Sequence, residues 1–416
     1  MPGAQTFSSP RASTPFDALP DFVISDIFVL VWCSHDFHKI RRDIHKMRIP
    51  YNLASVSRRW REVALSTSRI WTFVNLSLRP EHLAAHLARS KHLPIDVGLI
   101  LDKKYSQVNL RELLHILKET NIWARMSDLG ALLDHRYMDV FVNAFNSAID
   151  DNSASVLQSI RIEPPSDSDQ LEGRMLPLAW TDLRIPQSQI LRSIYLDHVR
   201  LSPIQELPSC PLPGLQRLEF KGIDLSLPNS LLPFLCLTPN LTYLAFGRCL
   251  LQALSDTTVA PRPRHSILLA ELDTLTLSDA GLQVGLNLLF RMLDMPKLRS
   301  VSFCTHDAVF DGLALIGMPS PHPYTFSSRP GRTSSEALAG LLSRINQLRQ
   351  LSALLLFDCE LPTPDEFVGR LARRLLETSC CPSIVTLGIY FPLGDESREF
   401  VKELKRTRPS MSICSI

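Results

Sequence analysis

One pattern, L-xx-L-x-L-xx-Φ-x-L with Φ apolar, recurs along this chain and limits its fold more than any other feature. It stands at Leu191/Ile194/Leu196/Val199/Leu201, Leu215/Leu218/Phe220/Ile223/Leu225 and Leu241/Leu244/Phe246/Cys249/Leu251. It returns at Leu272/Leu275/Leu277/Ala280/Leu282 and Leu351/Leu354/Leu356/Cys359/Leu361. Shortened copies sit at Leu157/Ile160/Ile162, Leu298/Val301/Phe303 and Ile384/Leu387/Ile389, and Trp123-Ala-Arg-Met126 reads as a degenerate first copy. Leu191, Leu215, Leu241 and Leu272 follow one another at 24, 26 and 31 residues. Alternate residues of a short strand point to opposite sides. The leucines therefore fill one continuous core, and each copy covers its neighbour.

The pattern resembles the leucine-rich repeat. The resemblance implies an α/β fold, an irregular solenoid with parallel strands on its concave side and helices on its convex side. The Asn that many such repeats carry at the fourth position is replaced by Val199, Ile223, Cys249, Ala280 and Cys359. Backbone groups at that turn must find other partners. Apolar spacing predicts helices over Glu81–His92, Asn109–Thr120, Met138–Ile149, Gly281–Leu293, Ser334–Leu348, Asp365–Thr378 and Asp395–Arg406, and a strand over Leu93–Leu101. Asp365 and Asp395 are candidate N-caps. The Pro/Ser/Gly-rich stretch 305–333 interrupts the rhythm as a loop insertion, with a short strand at Leu313–Gly317. Strand positions between the leucines face away from the core: Ser193, Tyr195, Asp197, Arg217, Glu219, Lys221 and Tyr243 in the middle, Leu355, Phe357 and Tyr390 near the end. The late apolar trio is either a partner pocket or is covered by the 305–333 loop or the C-terminal tail.

Ahead of the repeats, Leu19–Leu76 reads as a small helical module. Pro20 suits a first helical turn, and Asp21 and Asp26 favour its positive end. Phe22, Val23, Ile27, Leu30 and Val31 recur at helical spacing, while Ile24 and Phe28 make a second apolar row. Over Tyr51–Thr67, Leu53, Val56, Trp60, Val63 and Ala64 share one face. Ser66-Thr67-Ser68 breaks the helix, and Ile70, Trp71, Phe73 and Val74 follow. So short a segment buries surface poorly by itself, which points to a partner.

These residues resemble the F-box: Leu19, Pro20, Ile24, Ile27 and Phe28, then Val56, Ser57, Trp60, Arg61 and Ala64, then Ser68–Trp71. The layout is similar to the F-box-plus-repeat proteins of mushroom-forming fungi, with Ser57 where a cysteine is usual and a long basic spacer, Cys33–Pro50. The resemblance implies docking to the Skp adaptor of a cullin–RING (SCF-type) ubiquitin ligase through Leu19, Pro20, Ile24, Ile27, Phe28, Val56, Trp60, Ile70 and Trp71. The repeats would then present a protein substrate through Tyr195, Arg217, Glu219, Tyr243, Leu355, Phe357 and Tyr390. The alternative is a leucine-rich-repeat scaffold with no ligase role. The expected domains are a disordered 1–16, an F-box-like 17–80 and a repeat domain 81–416.

Composition narrows the remaining classes. The chain has 416 residues, 45% hydrophobic and 21% charged, as a globular protein does. A net charge of +2 provides no basic field for nucleic acid. Nine cysteines without a CxxC pair fit a reducing cytoplasmic or nuclear compartment. No signal peptide is visible. Leu225–Gly247 is the longest uncharged stretch, but it holds Pro228, Pro233 and Pro239 with Asn229 and Asn240, so a membrane span is not expected. No catalytic motif occurs, so neither an enzyme nor a cofactor is expected. Cys33, His35, His38 and His45 lack the paired spacing of a metal site. The basic run Lys39, Arg41, Arg42, Lys46 and Arg48 is a solvated loop or a contact for an acidic patch on the adaptor or cullin.

Overall fold

The computed structural model describes residues 18–34, 48–76, 80–101, 115, 119–120, 122–150, 156–164, 183–186, 189–197, 199, 211–222, 224–226, 231–247, 250–252, 267–278, 293–304, 353–357, 368, 371, 373, 375–376, 383–390 and 393–415. The chain divides into two compact units, Met1–Ile100 and Leu101–Ile416. The expected stretch 1–16, the 305–333 insertion, the strand Leu313–Gly317, Asp365, the helix Ser334–Leu348 and all of the helix Gly281–Leu293 but its last residue lie outside the described residues. So do His35, His38, His45 and the basic run up to Lys46. Leu293 itself is strand, not helix, where it pairs with Ile267.

In the first unit, helix α1 spans Asp21–Cys33 and starts just after the extended Pro20. Ile24, Phe28 and Trp32, spaced four apart, face inward. The stretch read as one helix, Tyr51–Thr67, is two: α2, Arg48–Val56, and α3, Arg58–Ser66. Ser57 divides them. Its backbone is extended, and its Oγ accepts the Trp60 N–H at 3.1 Å, an N-cap that starts α3 afresh. A 3-10 turn, Ser68–Trp71, leads to strand β1, Phe73–Asn75. Helix α4, Pro80–Arg89, and strand β2, Ile95–Leu101, follow. β2 pairs in parallel with β1, Val74 opposite Val97. This unit thus runs past Pro80, taking in α4 and most of β2, which the sequence assigned to the repeats. The cause is packing: Leu83 and His86 of α4 are buried, and the His86 ring meets Trp71 edge-on at 5.0 Å.

The second unit is mixed α/β around a large parallel sheet. Its strands are β3 Met126–Leu133, β4 Ser159–Glu163, β5 Ser193–Asp197, β6 Arg217–Lys221, β8 Tyr243–Gly247, β11 Thr274–Ser278, β13 Ser300–Cys304, β14 Ala353–Phe357, β15 Thr386–Tyr390 and β16 Ser412–Ser415. They lie side by side in chain order. Two short ladders accompany them: β7 Asp224–Ser226 with β9 Leu250–Gln252, and β10 Ile267–Leu268 with β12 Leu293–Asp294. The register equates the sequence copies: Ile160, Ile194, Leu218, Leu244, Leu275, Val301, Leu354 and Leu387 form one buried row across the sheet. Leu129 pairs with Ile160, so the first copy opens at Met126, not at Trp123.

The register is carried by backbone bonds between copies. The carbonyl of Arg192 accepts from both Gln216 and Arg217, and that of Gln216 from both Thr242 and Tyr243. At one turn the main chain bonds directly between neighbouring copies: the Gly222 N–H reaches the Gly247 carbonyl at 2.8 Å, and β7 and β9 then pair. Helix α5, His135–Asp150, begins at the buried Asp134, whose Oδ1 accepts the Arg136 N–H. Its Tyr137, Phe141, Phe145 and Ala148 are buried. Helix α6 is the short Leu232–Cys236. Helix α7, Asp395–Thr407, is capped by the extended Gly394 rather than by Asp395, whose carboxylate pairs with Arg398 instead. Of the stretch predicted as Asp365–Thr378, Val368, Leu371, Arg373, Leu375 and Leu376 are helical. Among the described residues no helix is long and apolar enough to cross a membrane.

Candidate functional site

Two surfaces emerge, one on each unit. On the first, α1 carries large apolar residues on more than one side, although Asp21, Ser25 and Asp26 interrupt them, and a helix so rich in apolar residues needs cover on more than its core face. Its Ile24–Phe28–Trp32 line closes the unit's core together with Val63, Ala64, Ile70, Trp71 and Phe73. The longer row read from the sequence faces the other way. Val23 and Ile27 are half-buried, while Phe22 and Leu30 stand 69% and 68% exposed. Val31 and, on the neighbouring helices, Val56 and Leu65 are exposed too. Six of the nine exposed large hydrophobic residues among those described belong to the first unit, which locates the apolar surface there.

The nine predicted docking residues therefore separate. Ile24, Phe28, Ile70 and Trp71 are core. Leu19 and Trp60 pack partly on it, with the Trp60 and Phe28 rings 5.0 Å apart. Ile27 is half-buried, and only Pro20 and Val56 stand open. The supposed aromatic surplus is covered from within. Trp71 lies against Tyr51 and His86, under the Arg89 guanidinium at 4.3 Å, and its Nε1 donates to the Ala64 carbonyl at 2.8 Å.

Arg59 was not singled out in the sequence, yet it ties α3 to the start of α1: it donates to the Leu19 carbonyl and to Asp21 Oδ1 at 2.7 Å. Asp21, Phe22, Ser25, Glu62, Val63 and Ser66 line an open hollow of about 340 Å³ beside it. His86 is buried, with Nδ1 3.1 Å from the Phe73 carbonyl, so that nitrogen carries the proton. Its Nε2 has no partner. Burial brings its pKa down to about 4. Burial likewise raises that of Tyr51, with the charge of Arg89 acting against it.

On the second unit the alternate strand positions form a grid of polar side chains. Register places Arg161 beside Tyr195 and Tyr195 beside Glu219, with Asp197 beside Lys221 and Arg217 beside Tyr243. Arg161 lies over the Tyr195 ring at 4.4 Å and pairs with Glu163 at 2.9 Å. Arg217 lies over the Tyr243 ring at 4.1 Å and its Nε donates to Glu219. Lys221 sits 3.6 Å from Asp197.

Burial disfavours the Arg161 charge, but the Glu163 carboxylate outweighs it and leaves its pKa above the usual value. Burial raises Glu163, against the pull of Arg161, and raises Tyr195 further with the help of Asp197 and Glu163. Arg161 and Glu163 were absent from the predicted set. They flank Ile162 in a shortened copy, where the same alternation marks them.

Of the predicted substrate residues, Tyr195, Arg217, Glu219 and Tyr243 are brought together. Leu355, Phe357 and Tyr390 lie on strands β14 and β15, with Phe357 opposite Tyr390 in register; their side chains are outside the described set. Among the described residues no group of three or more His, Cys, Asp or Glu could hold a metal ion. No protein-family model matches this chain, and no curated protein matches it in sequence.

Proposed function

We propose that the chain is a non-catalytic substrate-recognition subunit of an SCF-type cullin–RING ubiquitin ligase. Its N-terminal unit is the F-box-like module that docks on a Skp-type adaptor, and through it on cullin. The repeat sheet is a leucine-rich-repeat scaffold whose polar face holds a protein substrate. The chain itself makes no bond; it raises the effective concentration of the substrate near the conjugating enzyme.

The observation that carries this reading is the open side of α1. Phe22, Leu30 and Val31 remain exposed after the unit's own core has closed, and Val56 adds to them. An apolar surface of this kind is characteristic of a face that another protein covers. Pro20, Ile27, Val56 and Trp60 contribute to the contact in this reading. Ile24, Phe28, Ile70 and Trp71 support it from beneath.

The test is recovery of partners from cells with the tagged chain, followed by mass spectrometry. The intact chain should bring down adaptor and cullin. Phe22→Asp, Leu30→Asp and Val56→Asp should each reduce that recovery at least ten-fold while leaving the unfolding curve where it was. Recovery of neither partner by the intact chain would remove the ligase role and leave an interaction scaffold.

A further inference from the structure

We infer that Arg217 is the anchoring residue of the polar face and that it receives a carboxylate from an extended acidic segment of the partner. This deepens the substrate-binding reading above and rests on it.

Three features of the grid lead there. First, in each of its three ion pairs the cation is the more exposed member: side-chain exposure is 26% against 16% for Arg161 and Glu163, 43% against 8% for Arg217 and Glu219, and 19% against 6% for Lys221 and Asp197. The carboxylates lie underneath and the cations present themselves to a visitor, although the charges balance in number.

Second, Arg217 is held in place without being used up. Glu219 takes its Nε–H, and the guanidinium lies over the Tyr243 ring, 4.1 Å from its centroid. Its two terminal nitrogens have no acceptor among the described residues. A guanidinium fixed at one edge, backed by a ring and open at the other edge is a preformed fork for a two-oxygen acceptor. Little side-chain freedom is left to lose on binding.

Third, the surroundings favour a short peptide over a polyanion. Glu163, Asp197 and Glu219 sit within the same grid, and a chain with net charge +2 has no extended basic field. Recognition of nucleic acid depends on several phosphates being neutralised together. A single carboxylate at Arg217, with Arg161 and Lys221 offsetting the charges below, fits the grid better.

The experiment uses the full chain and fluorescence anisotropy. The probes are four labelled ligands: a flexible peptide with spaced Asp and Glu, the same peptide with Asn and Gln, the same with phosphoserine, and a single-stranded RNA of matched length. The acidic peptide should bind at least ten-fold more tightly than its amide counterpart. Arg217→Gln should abolish that preference. Arg217→Lys, which keeps the charge and loses the fork, should retain only a small part of it. Arg299→Gln, at an exposed ion pair just before β13, should leave it intact.

Tighter binding of the phosphoserine peptide than of the carboxylate one would overturn the choice of carboxylate. Tighter binding of RNA, or equal binding of the acidic and amide peptides, would overturn the inference entirely. Val56→Asp separates this from the ligase reading. Lost adaptor recovery with unchanged peptide binding supports both, whereas an intact chain that selects acidic peptide but recovers no adaptor leaves the inference standing and removes the ligase.

Discussion

Trp71 and Val56 show how one sequence motif divides between buried core and open surface. Trp71 is 1% exposed, boxed by Tyr51, His86 and Arg89, and bonded through Nε1 to Ala64. Trp71→Ala should cost the N-terminal unit about 3–5 kcal/mol, read as a shift in the denaturant midpoint. Any loss of adaptor binding would then follow from unfolding. Val56 is 60% exposed, so Val56→Asp should leave stability within about 0.5 kcal/mol and act on binding alone.

His86 yields a pH prediction. Its folded pKa of about 4 lies below the ordinary 6.5, so the unfolded chain takes up its proton first as pH falls. The groups facing it are Tyr51, His82 and Arg89; burial is the main cause of the shift, the hydrogen bonds to backbone at Phe73 and Trp71 oppose it, and the Arg89 charge adds to it. Stability from this group is therefore full above about pH 6.5 and declines below it, by roughly 2 kcal/mol at pH 5 and about 3 kcal/mol below pH 4. His86→Gln should flatten that part of the stability–pH curve between pH 8 and 5; equal slopes in both proteins would disprove a neutral buried imidazole.

At the scale of elements, the boundaries rest on single residues. Ser57 is what makes two helices from a stretch whose apolar spacing reads as one. Ser57→Ala should cost about 1 kcal/mol, since it leaves the Trp60 N–H without its cap. Gly214 lies in the turn before β6, and a Cβ there would stand 2.2 Å from the Gln189 carbonyl oxygen of the preceding copy. Gly214→Ala should therefore lower thermal stability by about 1–3 kcal/mol through forced displacement of backbone, a change to be measured by calorimetry. The exposed pairs Glu271–Lys297 and Asp273–Arg299, one repeat apart in sequence, contribute little at such exposure.

The strands were legible because their leucines alternate with polar residues at period two. Helix α1 was legible as a helix but not in its orientation. It carries more than one apolar row, so periodicity could not say that the Ile24–Phe28–Trp32 line would be the buried one. The first copy at Trp123 was misplaced by three residues because Met126, Leu129 and Ala131 repeat the pattern with weaker side chains; pairing with β4 fixed the register.

For the whole molecule, the two surfaces predict two independent losses. Val56→Asp should remove adaptor recovery and spare acidic-peptide binding; Arg217→Gln should do the reverse. Affinity purification and anisotropy on the same pair of variants read both.

What the sequence determined alone was the recurrence of short strand segments and the alternation of core and outward positions along them. These follow from local alternation, which needs no knowledge of distant contacts. Tertiary structure decided which side of α1 is open, that α4 and most of β2 belong to the first unit, and that Arg217 is held over Tyr243 by Glu219. Those outcomes depend on residues far apart in the chain or on neighbouring strands meeting in register, and no local pattern contains that information.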